Sequence, residues 1–206
     1  MTSSTSTIDY RNTLFQYPTL TKIHGEPTTE AILKLTKEIK ANARSVYSDI
    51  GGGKHGHLFL VLTPEQFNNI SSTPFVRPEH PGPLNLPDHA TQALIRELKD
   101  IRNEKLRLFK EVNAVEATLI QQINTSIEGE YLDAIRNRIF NTLEGPISNI
   151  IKHLQTNYGK ITAQMLAQKE DELRNLTYDP NLPMDFLFSK IDDLSDFGKS
   201  DGHAIH

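Results

Sequence analysis

The chain has 206 residues, 37% of them apolar, with a formal net charge of −4 and no cysteine. That length suits one domain or two small ones around a modest core. Lack of cysteine excludes disulfides, thiol catalysis, Cys-type structural zinc and zinc knuckles, and the acidic balance argues against a dedicated nucleic-acid binder, because phosphate contacts need concentrated Lys and Arg.

Residues 1–17 are rich in Ser and Thr and are expected to form a flexible arm. Residues 18–87 are expected to hold a helix and a strand. Pro27 and Thr29 are start signals for a helix running to about Tyr47, with Ile32, Leu35, Ile39, Ala43 and Val46 on its core face. Gly51, Gly52, Gly53 and Gly56 break the chain, and the apolar run His57 to Leu62 suits a buried strand. Thr63-Pro64-Glu65-Gln66 pairs an N-cap Thr with Pro at the first helical position and Gln three residues after the cap, predicting a short helix through Phe67 and Ile70. Prolines 74, 78, 81, 83 and 87 then forbid regular helix and favour a stiff, extended connector over 71–87, the expected domain boundary.

The helical domain is expected over 88–206. From Asp88, as cap, to about Ile127 runs one unbroken helical pattern: Leu94, Leu98, Ile101, Lys105, Leu108, Val112, Val115, Leu119 and Gln122 step by alternating fours and threes. A mean step of 3.5 residues keeps a narrow seam on one side of a helix, and sustained over about four heptads it argues for lengthwise packing against another helix. Such a rod would be roughly 60 Å long, about twice the width of a small domain. Part of it is therefore expected to meet something outside its own fold, the alternative being that Leu94 to Leu119 is the central helix of an intramolecular bundle. Leu94, Leu98, Ile101, Leu108, Val112, Val115 and Leu119 are the candidate self-association residues. Lys105 at a seam position would cost several kcal/mol if buried unpaired, so the seam is expected to be open near it. Further helices are expected over Glu130 to Asn141, Pro146 to Tyr158 with Gly159 as C-cap, from Thr162 through Leu176, and after the Asp179 to Pro183 turn through Phe186, Leu187, Ile191, Leu194 and Phe197.

Chemistry is mostly excluded. Gly51-Gly52-Gly53-Lys54 lacks the spacing of a phosphate loop, since His55 follows the lysine and the expected strand comes after the glycines. His55 with His57, and His203 with His206, are pairs without a third ligand in a recognisable pattern. Asp192 and Asp193 point in different directions on a helix. No Ser-His-Asp order or nucleophile elbow is present, so no catalytic residue, metal or cofactor is expected. No apolar run approaches the roughly 18 residues that span a bilayer, and Met1 to Thr7 has neither a basic nor an apolar segment, so a soluble, cytoplasmic protein without membrane contact is expected. Charge is uneven: six basic and four acidic residues lie between Arg96 and Glu111, against three basic and nine acidic from Glu170 to His206.

The segments His55-Gly56-His57-Leu58-Phe59-Leu60-Val61-Leu62-Thr63-Pro64-Glu65-Gln66-Phe67, Pro74-Phe75-Val76-Arg77-Pro78 and His80-Pro81-Gly82-Pro83 resemble the Gag-like region of copia-type LTR retrotransposons of diatoms and other microbial eukaryotes. The resemblance continues through Leu119 to Ile123, Tyr131 to Arg138, Asn157 to Thr162, Tyr178 to Pro180 and Ile191 to Leu194, and covers about residues 18–198. It implies a mostly α, capsid-like helical bundle and a structural protein that self-assembles into virus-like particles around the element's RNA. The family pattern usually runs on into further helices, so the chain resembles a truncated copy or a fragment. The family's zinc knuckle or basic tail is not visible, and any RNA contact is expected through regions outside this chain. The alternative is a cellular helical scaffold or adaptor, a domesticated Gag relative, whose rod pairs with a different protein.

Overall fold

The computed structural model describes residues 8–50, 53–177 and 179–199, and its described residues form seven α-helices and no strand. In order these are α1 (Tyr10–Thr13), α2 (Thr29–Ser45), α3 (Pro64–Ile70), α4 (Gln92–Ser126), α5 (Ile147–Tyr158), α6 (Ala163–Arg174) and α7 (Met184–Lys199). Gly51, Gly52, Tyr178, His203 and His206 lie outside the described residues.

Helix α2 begins where Thr28 Oγ1 accepts from the Ala31 amide at 3.2 Å, relieving one of the orphan donors of the first turn. Its buried side chains Ile32, Leu35, Ile39 and Ala43 recur at helical spacing, and this face packs on α4 and α5. Opposite it stand Val112, Val115, Leu119 and Ile123 of α4 and Ile147, Ile150 and Leu154 of α5, all in one apolar cluster. At about 25 cal/mol per Å² of apolar surface, each such side chain contributes roughly 1.5–3 kcal/mol on burial. Phe15, Leu20, Phe59, Leu60 and Phe67 belong to the same cluster, so the chain before the 71–87 connector and the chain after it share one core.

Four expectations are corrected. The run His57 to Leu62 is not a strand: Leu58–Leu60 is a 3-10 turn, with Leu60 N donating to His57 O and Val61 N to Leu58 O. A short apolar run signals burial without specifying backbone shape, and this one has no strand partner; His57 N is instead taken by Ala43 O at 2.8 Å. Thr91, not Asp88, caps the long helix by accepting from Leu94 N at 3.3 Å, because His89 adopts a left-handed φ of 64° and delays helical backbone. No helix spans Glu130 to Asn141; two 3-10 turns, Gly129–Tyr131 and Asp133–Ile135, lead into a tight turn closed by an Arg136 to Leu143 bridge. There Asn137 Oδ1 accepts from the amides of Ile139 and Phe140, offering the backbone a local alternative to helix, and Asn141 turns left-handed at φ 52°. Finally, the expected arm is anchored at its end: Phe15 is buried, and Tyr17 N donates to Asn42 Oδ1 at 2.7 Å.

The Thr63 capping box forms as expected, with Gln66 N on Thr63 Oγ1 and Thr63 N on Gln66 Oε1. Among the described residues no helix is long and apolar enough to cross a membrane.

Candidate functional site

Helix α4 has 35 residues and is therefore about 50 Å long. Its seam divides into two unlike halves. Val112, Val115 and Leu119 are 1%, 0% and 0% exposed, sealed against α2 and α5, whereas Leu94 and Ile101 are 36% and 46% exposed. Leu98 and Leu108 are half-buried, and Lys105 stands in solvent. The seven residues expected to associate thus separate into three that build the core and four on the protruding half, in continuous register along one stripe.

The connector 71–87 runs back along the protruding half and covers one flank. Phe75 anchors its start, stacked on Phe59 with centroids 3.8 Å apart and meeting Phe67 edge-on. Arg77 then forks onto Glu116, with a further bond to Asn113 at 3.1 Å; the His80 ring meets the edge of Phe109; and Arg102 Nε donates to Gly82 O at 3.0 Å. The partner numbers fall along α4 as those on the connector rise, so the connector lies antiparallel to the helix. Its hydrogen bond to Glu116 strengthens the Arg77 guanidinium's hold on its proton.

On the other flank Glu97, Glu104 and Glu111 recur every seven residues, with Glu97 and Glu104 exposed. Arg107 bridges Glu104, Glu111 and Asp49 at 2.7, 2.8 and 3.2 Å. The hydrogen bond from Arg107 holds the Glu104 carboxyl below its ordinary range, and the same carboxylates raise the Arg107 pKa further.

Among the described residues of the glycine and histidine loop, 53–57, the polar side chains do not gather into a cleft. His57 is fully buried, the His55 ring meets the edge of Phe67, and Lys54 is exposed. Gly56 is essential to this local path: at φ 53° a Cβ would sit 2.5 Å from both the Arg44 and Val46 carbonyl oxygens. Among the described residues no three His, Cys, Asp or Glu side chains gather as a metal site.

A second apolar surface was not singled out by sequence. On α7 only Leu194 and Phe197 of the expected face are buried, while Met184, Phe188 and Ile191 form an exposed stripe at helical spacing and Phe186 lies exposed under Lys190, whose Nζ is 5.8 Å from the ring centroid. The signal was present in the excess of apolar residues over what one helix face can bury. A cavity of about 890 Å³ opens between α2, α6 and α7, floored by Leu33, Leu176, Leu194 and Phe197. Two of its lysines are engaged by carboxylates: Lys37 with Asp193 at 2.7 Å and Lys169 with Glu30 and Glu172 at 2.5 and 2.8 Å.

Compared with known proteins, the chain matches no family model, no curated protein and no solved structure.

Proposed function

We propose that this chain is a structural assembly protein of the Gag-like capsid kind, self-associating through the protruding half of α4. The supporting observation is the continuity of the seam: the stripe that seals the core at Val112, Val115 and Leu119 runs on into Leu94 and Ile101, which stay exposed. A helix that gains its stability from burying one stripe leaves the rest of that stripe available to another apolar surface.

Charge selects the form of contact. An antiparallel two-fold pair of rods would set the Glu97 and Glu104 edges against each other. Lys34 and Arg44 lie exposed on α2 and supply an opposite edge on the same chain. The proposed contact is therefore heterologous, the rod of one copy on the α2 face of the next. Contacts of this kind propagate into rings, lattices or filaments instead of stopping at dimers. A rod that pairs with a different protein would keep the same exposed seam but show no concentration-dependent self-association.

Sedimentation velocity of the wild type and of Leu94→Asp/Ile101→Asp across a hundredfold concentration range tests the proposal. The wild type is expected to grow in mass with concentration and the variant to remain monomeric and folded. A wild type that stays monomeric, yet captures one stoichiometric heteropartner, would favour the adaptor.

A further inference from the structure

His57 is fully buried, and its Nδ1 lies 3.2 Å from the carbonyl oxygen of Val46. A carbonyl only accepts, so Nδ1 must carry a hydrogen and donate it. Nε2 is then left without a hydrogen bond in a site closed to water, and the group facing it at 3.4 Å is Oε1 of Glu111. With Nε2 bare and Glu111 ionised, the lone pair of a fully buried nitrogen would oppose a carboxylate that is only 19% exposed. One proton between the two atoms turns that repulsion into a hydrogen bond.

We infer that His57 and Glu111 hold a single shared proton, and that this proton is a pH-dependent fastening between the glycine and histidine loop and α4. Its position gives it leverage. Glu111 immediately precedes Val112, the first sealed residue of the seam, so the fastening sits where the helix leaves the core. Arg107 Nη1 donates to the other Glu111 oxygen at 2.8 Å, Asp49 and Glu104 surround that guanidinium, and Tyr10 of α1 feels the Glu111 charge. The Phe59 ring lies against the imidazole at 5.5 Å between centroids.

Burial acts on the partners in opposite directions, lowering His57 from its ordinary 6.5 and raising Glu111 from its ordinary 4.5. The raised carboxyl contributes stability that is present below 4.5 and lost as pH rises through its folded value. The lowered imidazole contributes stability that is present above 6.5 and lost as pH falls toward its folded value.

Glu111→Gln separates these arms. Its carboxamide N–H can donate to bare Nε2 without titrating, while its oxygen still accepts from Arg107. The difference in melting temperature, Glu111→Gln minus wild type, is therefore expected to grow by about 3 °C or more between pH 5 and pH 8.5. A difference that stays constant over that range overturns the shared proton. Long-range nitrogen–proton NMR of the wild type decides independently of the variant's folding: a hydrogen on Nδ1 is expected at neutral pH, and one on Nε2 with Nδ1 bare overturns the assignment.

Discussion

Asn42 Nδ2 donates to Gln122 Oε1 at 3.0 Å, in a crossing of α2 and α4 where both side chains are buried. Gln122 is the one polar residue of the seam within the core, and its two hydrogens are both committed, to Tyr17 O at 3.0 Å and Pro18 O at 2.9 Å. Asn42 holds the same segment from the other side, accepting from Tyr17 N and donating to Tyr17 O at 2.8 Å. The N-terminal segment is thus stitched between two helices by polar groups that leave little unsatisfied. Gln122→Leu keeps the volume but orphans the Pro18 carbonyl, which costs about 1–3 kcal/mol. The expected result is a melting temperature lower by about 2–12 °C, read by circular dichroism.

Gly56→Ala should be far more damaging than Gly25→Ala or Gly82→Ala. All three glycines have positive φ, at 53°, 70° and 70°, but only at Gly56 would a Cβ strike backbone, while the other two face open space. The latter pair pay only the left-handed conformational penalty of about 1–2 kcal/mol. Gly56→Ala is expected to prevent folding or to melt well below both, in the same thermal scan.

Along α4 the cost of truncation should change abruptly. Leu119→Ala, at a wholly buried site, is expected to lose about 2–5 kcal/mol of unfolding free energy. Ile101→Ala, 46% exposed, should stay below about 1 kcal/mol in monomer stability. Urea titrations at low protein concentration measure both, and equal losses would mean that the protruding half is packed in solution.

Arg77→Ala removes the fork onto Glu116 and the bond to Asn113 that fasten the connector to α4. The connector's backbone over 78–88 should become a faster protease target, with little change in the melting of the core. Unchanged cleavage would show that Phe75 and the His80 contact suffice to hold it.

The long helix, the capping box at Thr63 and the seam are legible in sequence because each rests on local spacing that tertiary packing reinforces. The failures share one cause. His57 to Leu62 and Glu130 to Asn141 have apolar content that reports burial, yet their backbone is decided by partners far away in sequence or by a competing side chain: Ala43 O for His57 N, and Asn137 Oδ1 for two amides. The seam's division at Val112 likewise follows from where α2 and α5 stop covering it, although the charge of Lys105 marks the open half. The pairing of His57 with Glu111 joins residues 54 positions apart and no spacing rule points to it.

Self-association through the protruding seam is tested most directly by sedimentation velocity of the purified chain over a hundredfold concentration range, beside Leu94→Asp/Ile101→Asp. The expected result is a wild-type mass that rises with concentration and a folded variant that remains a monomer throughout. A wild type that is strictly monomeric at the highest concentration, or a variant that assembles equally well, would contradict it.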